Sequence, residues 1–462
     1  MSKPTAVILV VGLNKSLIGD WSPNLQRFCK EGRITRLKPV LPAVTCSVQS
    51  SMLTGTDVSD HGIVGNGWFN RELNEIQFWK QSNQLVRGEK VWETARKREP
   101  DFTCLNMFWW YNMYSTADYS VTPRPIYKAD GRKIPDCYSH PSELKDELQS
   151  ELGQFPLFNF WGPASSIKSS QWITEATVIA HKKLNPALTL LYLPHLDYAL
   201  QKLGPDHKDI KKHVTQIDKV TGELLSYFDS RSVKPIIISE YGIEPVNRSI
   251  AVNKILREEN LIAVREEMGT ELLDAGASEA FAVADHQIAH VYIKNKQNNN
   301  RILDICKNIP GVEQALDKNA QSKLHIDHAR SGDLILIAAK DHWFSYQYWL
   351  DDSKAPDFAR TVDIHRKPGY DPCELLVDPA IRNPKLKIAL KLLKKKLGFR
   401  TLIDVIPLDT DLVKGSHGRI DQPEDIQPIL ISREDMKDIS QEMPCQKVKD
   451  VILEHLFPFS SS

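Results

Sequence analysis

Much of what would announce a function class is scarce in this sequence. Its seven cysteines (Cys29, Cys46, Cys104, Cys137, Cys306, Cys373, Cys445) are scattered, odd in number and never spaced as CxxC. That argues against a cysteine zinc knuckle and points to reduced thiols in the cytoplasm. Neither sign of charge is in excess, since 59 Lys+Arg face 59 Asp+Glu. The net charge therefore gives no case for a nucleic-acid partner. No apolar run approaches the roughly 18 residues that a membrane span needs. Residues 6–13 are apolar but short, and no small-residue cleavage site follows before Asn14, Lys15 and Asp20, so they predict a buried first strand. There is no internal repeat and no long low-complexity linker. A chain of 462 residues, 41% hydrophobic and 26% charged, is left as one large soluble domain or a core with an inserted module.

Several short β-branched runs are present, at residues 6–11, 188–193 and 236–239. Longer mixed segments separate them. In one, at 213–228, Val214, Ile217, Val220 and Leu224 recur at helical spacing. Strand, helix, strand predicts a mainly parallel sheet covered by helices on both faces. Polar clusters follow the runs: Gly12-Leu13-Asn14, Pro194-His195-Leu196-Asp197 and Glu240-Tyr241-Gly242. Ligand sites in such folds lie beyond the carboxyl ends of the strands, so these clusters should converge. Residues 251–349 read differently, with strands expected at 290–294, 334–338 and 344–349 and a helix at 300–309. They predict an inserted α+β cap on a core formed by 1–250 and 350–462. Residues 385–396 carry six lysines, with Leu386, Leu390, Leu393 and Leu397 at helical spacing. This predicts a surface helix with one buried leucine stripe and solvated lysines, in preference to a membrane-surface or phosphate-attracting helix.

Thr45 falls where a loop turns into a helix, after Pro42-Ala43-Val44. Free backbone N–H groups and the positive dipole end of such a turn suit a phosphate beside a hydroxyl nucleophile. Thr54-Gly55 follows nine residues later, and then His61-Gly62-Ile63-Val64-Gly65-Asn66. With both spacings the stretch resembles the nucleophile segment of the nucleotide pyrophosphatase/phosphodiesterase family, in the alkaline phosphatase superfamily. The resemblance implies an alkaline-phosphatase-like α/β core with Thr45 as nucleophile. It implies that Asn66 binds a phosphate oxygen and that divalent metals sit at the strand ends.

The ligand segments of that family align by order and flanking residues. Asp197 and His417 match metal ligands. Gln201 stands where the family has His, Val11 where it has Asp, and Glu240-Tyr241 where it has Asp-His. Val11 cannot bind a metal and tyrosine is a poor zinc ligand, so a faithful two-zinc set is not expected. Glu240 remains a candidate ligand, and so does His365 beside Asp363, Arg366 and Lys367. Zn and Mn/Mg stay open. His195, two residues before Asp197, would share its direction if the strand end stayed extended. The histidines of Asp285-His286-Gln287-Ile288-Ala289-His290 and of 325–328 read as ordinary structural or surface side chains. The aromatic groups Phe108 to Tyr114 and Phe158, Phe160 and Trp161 read first as packing, although the family uses an aromatic slot for its ligand. The expected function is metal-dependent hydrolysis of phosphate esters or pyrophosphates by Thr45 on a small phosphorylated substrate. The alternative is a non-catalytic relative that binds a phosphorylated metabolite or a partner protein.

Overall fold

The computed structural model describes residues 1–130, 132–434 and 440–458. Its main sheet is built from β1 (Thr5–Val10), β2 (Arg33–Lys38), β3 (Cys104–Met107), β4 (Tyr119–Pro123), β5 (Cys137–His140), β6 (Leu188–Leu193), β7 (Lys234–Ile238), β8 (Ile429–Ser432) and β9 (Glu442–Pro444). Their spatial order is β9-β2-β8-β7-β1-β6-β3-β4-β5. The five central strands β7, β1, β6, β3 and β4 run parallel, while β8 pairs antiparallel with both β7 and β2. All six residues of β1 and of β6 are buried, as a parallel sheet covered on both faces requires.

Four helices matter below: α1 (Thr45–Thr54), α2 (His195–Leu203), α3 (Ile210–Ser230) and α4 (Pro384–Lys396). Helix α3 contains the expected periodic segment. It buries Val214, Ile217, Val220 and Leu224 and packs with Pro23–Glu31 and Ile167–Leu184. Another group, α1, Val91–Arg98 and Val448–Leu456, packs together, and Val448–Leu456 also lies against β1. The mainly parallel α/β sheet expected from the sequence is therefore present, with the antiparallel strands β8 and β5 flanking its five parallel central strands.

A second, antiparallel sheet has the order Ala280–Asp285, Ile288–Ile293, Leu334–Ala338, Val312–Leu316. It has its own apolar core, which also takes in Phe358, Ala359 and Leu408. The strand expected at 344–349 is absent, for only His342–Phe344 is extended and pairs with Arg248–Ile250. The apolar character of the following residues serves packing, since Tyr346, Tyr348 and Trp349 are buried in that core. The leucine stripe expected to be buried in α4 is also contradicted. No residue of α4 is buried, because the helix touches the body chiefly through Ile388 and through Lys387 and Lys391 on Asp404.

The chain returns from the second sheet through a segment fixed by one buried cation. Lys367 is 1% exposed and lies 2.6 Å from Asp371 and 2.8 Å from Glu374. Burial works against its charge, yet the two carboxylates hold it protonated. Glu374 also accepts from the backbone of Asp363 at 2.8 Å. Removing one partner of such a group strands the others unpaired in low dielectric. Lys367→Ala should therefore cost about 3–5 kcal/mol of stability, read from the denaturant midpoint. A loss within experimental error would show that the triad does not hold this segment.

Candidate functional site

Helix α1 starts at Thr45 because Val44 is still extended, and it ends at Gly55, whose φ of 73° a side chain would strain. All ten of its residues are buried, so the first turn is held rigidly in the core. Thr45 Oγ1 lies 3.1 Å from the hydroxyl of Tyr241. That hydroxyl donates to Asp197 Oδ1 at 3.4 Å. Asp197 Oδ2 accepts from Gln201 Nε2 at 3.0 Å, as expected of residues one turn apart on α2. The three polar clusters at the strand ends do converge, beside the start of α1.

The neighbouring groups close the site. Gln49 on α1 donates to Glu240, and its carbonyl accepts from Trp110 N–H at 2.7 Å. Glu240 Oε2 has no well-formed hydrogen bond. Asn66 Oδ1 accepts from Cys46 N–H at 3.0 Å. Its own N–H and side-chain amide donate to Asp285 at 2.7 and 3.0 Å. Asp285 in turn holds His286 Nδ1 at 2.8 Å. Four rings then stack in sequence. Tyr241 lies 3.6 Å from His417, His417 lies 3.8 Å from His286, and His286 lies 3.7 Å from Tyr370. Tyr370 closes the circuit by donating to Gln201 Oε1 at 2.8 Å.

Burial sets the charge state. It pushes Asp197 up to about 7, against the hydrogen bonds from Gln201 and Tyr241. It raises Asp285 to about 6 despite the bonds from Asn66. Glu240 is raised well above the carboxylate range, first by desolvation, with Gln49 acting in the opposite sense. His286 and His417 are driven well below the usual imidazole range by burial. Neutral imidazoles, with carboxyl groups that hold their protons to higher pH than usual, limit the net charge buried in a site without a paired cation.

Of the residues read from the sequence, Thr45, Asn66, Asp197, Glu240 and His417 gather here. His365 is held elsewhere, with Nδ1 3.3 Å from the carbonyl of Phe78 and its ring 6.4 Å from that of Tyr127. His195 does not share the direction of Asp197, because both lie on a helix and not on a strand end. It turns to Gln216 and His213 at 3.1 and 3.2 Å. Asp285, His286 and Tyr370 were not read as site residues. Their one local signal was the Asp285-His286 pair, and only the packing of the second sheet on the core brings it to Asn66.

The donors do not suit two metals. Val11 is apolar and fully buried, Gln201 and Tyr241 are committed to hydrogen bonds, and His417 Nδ1 is taken by the carbonyl of Ala43 at 2.8 Å. His417 Nε2, unpartnered, lies 3.9 Å from Asp197 Oδ1. Glu240 Oε2 is unpartnered as well, but these donors do not form the set of three or more protein ligands that a structural or catalytic site has. Among the described residues, no group of three or more His, Cys, Asp or Glu is placed to hold a metal ion.

Half-buried Trp79, Trp110 and Trp161 stand around this site with Tyr370. Ring centroids are 5.0 Å apart for Trp79 and Trp110, 6.1 Å for Trp79 and Tyr370, and 5.7 Å for Trp161 and Tyr370.

Known proteins share this fold. A computed superposition of the chain on murine ectonucleotide pyrophosphatase/phosphodiesterase 5, solved in an inactive form in complex with AMP, has a TM-score of 0.59 at 12% identity. It covers 98% of this chain and 94% of that one. Phosphonoacetate hydrolase from Sinorhizobium meliloti, in complex with phosphonoacetate, gives 0.61 at 13% identity, covering 98% and 95%. At these identities the likeness shows the fold alone. An uncharacterised pyrophosphatase/phosphodiesterase of Schizosaccharomyces pombe is 23% identical over 266 residues, which are 54% of this chain and 46% of that protein. Ectonucleotide pyrophosphatase/phosphodiesterase family member 1 of Rattus norvegicus is 22% identical over 282 residues, 57% of this chain and 27% of that protein. The matches thus span less than half the length of these relatives. The model of the family described as type I phosphodiesterase / nucleotide pyrophosphatase matches residues 5–371, which take in Thr45, Asn66, Asp197 and Glu240, and the chain belongs to that family.

Proposed function

We propose that this protein hydrolyses a phosphate ester or pyrophosphate with Thr45 as nucleophile, activated through Tyr241 by Asp197. The observation that carries this reading is the line Thr45–Tyr241–Asp197, at 3.1 and 3.4 Å. It ends on a carboxyl group poised at about 7. A general base works best when its pKa lies near the operating pH. Burial raises the phenol of Tyr241 well above its ordinary range, so it stays protonated and passes a proton along.

In the proposed reaction Thr45 Oγ bonds to phosphorus as the bond to the leaving oxygen breaks. The Thr45 proton moves to Tyr241 while the Tyr241 proton moves to Asp197. Water then attacks the phosphothreonine, the Oγ–P bond breaks, and the protons return. Asn66, fixed by Cys46 and Asp285, offers its second amide proton to a phosphoryl oxygen beside the first turn of α1. The tryptophans around Tyr370 offer flat faces to the rest of the ester, and AMP bound to a protein of the same fold supports a small phosphorylated ligand. Divalent ions act in the reactions of this family, as the resemblance implies, but the donors here do not fit a two-metal set and no step is routed through one.

A second reading, binding without turnover, is favoured by one observation. Thr45 is 5% exposed, and stacked rings fill the space between the strand ends and the second sheet.

An aryl phosphodiester and monoester panel separates the two readings. The purified protein is assayed after chelation and with Zn, Mn or Mg added back, with its metal content measured in parallel. Turnover should survive chelation and be abolished by Thr45→Ala. Tyr241→Phe should lower kcat about 10²–10⁴-fold, the usual worth of a positioned acid–base group. No turnover under any condition establishes the binding reading, and turnover that depends on added metal overturns the Asp197 base. The active form is ionised Asp197, so kcat should rise with pH through a midpoint near 7. A flat profile would remove Asp197 from the reaction.

Stability gives a readout independent of turnover. Asp197 binds its proton up to about 7 when folded but only up to about 4 when unfolded. The folded state therefore holds the extra proton between these values, and its stability falls as pH rises across that window. Asp197→Asn should gain relative to the wild type by about 1.4 kcal/mol per pH unit there, measured by denaturant unfolding of chelated protein. A pH-independent difference would show that the carboxyl is not raised.

A further inference from the structure

Helix α4 presents its apolar side to solvent. Leu386, Leu390, Leu393 and Leu397 recur at i, i+4, i+7 and i+11, which is one face of a helix, and they are 58%, 51%, 54% and 66% exposed. The other side holds the helix to the body. There Ile388 packs beside the cluster of Val246, Trp343 and Val405, and Lys387 and Lys391 pair with Asp404. The outward direction of the leucines is thus fixed by contacts on the opposite face.

The charge around this stripe is of one sign. Between Asp378 and Asp404 the sequence has Arg382, Lys385, Lys387, Lys391, Lys394, Lys395, Lys396 and Arg400, and no acidic residue. At about 100° per residue, Lys387 and Lys394 border one side of the leucine stripe and Lys385 and Lys396 the other. Exposed Phe399 and Leu402 continue the apolar surface. Arg400 reaches the carbonyl of Ala129 at 3.5 Å, which sets the hairpin bearing exposed Ile126 and Tyr127 beside the helix.

We propose that this face docks on a bilayer surface containing anionic lipid. Helix α4 lies in the plane of the interface, its leucines at the acyl boundary and its flanking lysines among headgroup phosphates. An apolar stripe bordered by cations is the form that interfacial helices take, and each surface cation adds to attraction by anionic lipid. Nucleic acid would use the cations but not a leucine stripe, since it binds apolar surface by base stacking on aromatics. No helix among the described residues is long and apolar enough to cross the membrane, so the contact is peripheral.

Co-sedimentation of the full chain with vesicles tests this. One set is phosphatidylcholine alone, the other includes about one-third phosphatidylglycerol to give an anionic surface. The wild type should pellet with the anionic vesicles and only weakly with the neutral ones. Leu390→Ser with Leu393→Ser should weaken binding about tenfold or more without moving the thermal midpoint, since both side chains are exposed. Replacing Lys394, Lys395 and Lys396 by Gln should remove the preference for anionic lipid. Undiminished pelleting of the leucine variant would show a polyanion contact by charge alone and overturn the proposal. So would absence of lipid-dependent pelleting, or sedimentation without lipid, which would make the stripe a contact between copies of the chain.

Discussion

Four rings packed at centroid separations of 3.6–3.8 Å, the middle histidine pair tilted by 36°, tie together four stretches of chain that are remote in sequence. Tyr241 follows β7, His417 comes from the later return of the chain, His286 from the turn between two strands of the second sheet, and Tyr370 from the segment fixed by Lys367. Separations of 3.6–3.8 Å leave no room for water between the planes. The stack therefore demands neutral imidazoles, and burial supplies that condition by depressing both His286 and His417. It also fixes where the second sheet sits on the first, because the backbone of Gln287 donates to the carbonyl of His417 at 2.9 Å. A charged imidazole in either position would face desolvation without a counter-ion on the ring faces, so the packing and the charge state of the site are one constraint.

The same burial sets the charge of the carboxyl groups around Thr45. Asp197, Glu240 and Asp285 approach the start of α1 and no buried lysine or arginine pairs with them among the contacts described above. Protons are then the cheapest compensating charge, which is why all three carboxyl groups are raised. They are not equivalent. Burial raises Glu240 well above the carboxylate range, with the hydrogen bond from Gln49 acting in the opposite sense. Asp197 is linked to Thr45 through the Tyr241 hydroxyl and titrates near neutrality, while Glu240 touches Thr45 and Tyr241 as well. In the proposed reaction this difference is what would let Asp197 serve as the base, a separation of paired carboxyl groups that acid–base chemistry uses.

How much of this is legible in the sequence depends on whether the information is local. The runs at β1, β6 and β7 are apolar on both faces and show as such, and α3 shows by its period. The match of Thr45, Thr54-Gly55 and Asn66 is a local spacing too. Strand β2, Arg-Ile-Thr-Arg-Leu-Lys, next to the outermost strand β9, is half polar because its burial alternates, so it carries no run to detect. The i, i+2 inference for His195 and Asp197 failed because α2 begins at His195, immediately after β6, and a helix sends such residues about 200° apart. Asp285, His286 and Tyr370 join the site only through the contact between the two sheets, which no window along the chain contains. The replacements at Val11, Gln201 and Tyr241 were readable as losses of metal ligands. What replaced them was not, because a hydrogen bond from Tyr241 to Asp197 requires the register of β7 against β1 and β6.

Helix α4 shows the limit of periodicity in the other direction. Leucines at helical spacing indicate an amphipathic helix correctly, but the period does not say which side faces the protein. Here the body takes the side away from the leucines, where Asp404 pairs Lys387 and Lys391 and Ile388 packs beside the cluster containing Trp343. Rotating the helix to bury Leu390 and Leu393 would pull both lysines from Asp404 and leave Ile388 exposed instead. The leucine face is therefore exposed by the structure's own contacts, which hold it in place. The surface it makes continues to the Ile126–Tyr127 strand, and from Tyr127 the chain of contacts runs through His365 to Phe78, the residue before Trp79. A line of contacts thus leads from the exposed leucine face, by way of the hairpin, to the tryptophan-lined side of the candidate site.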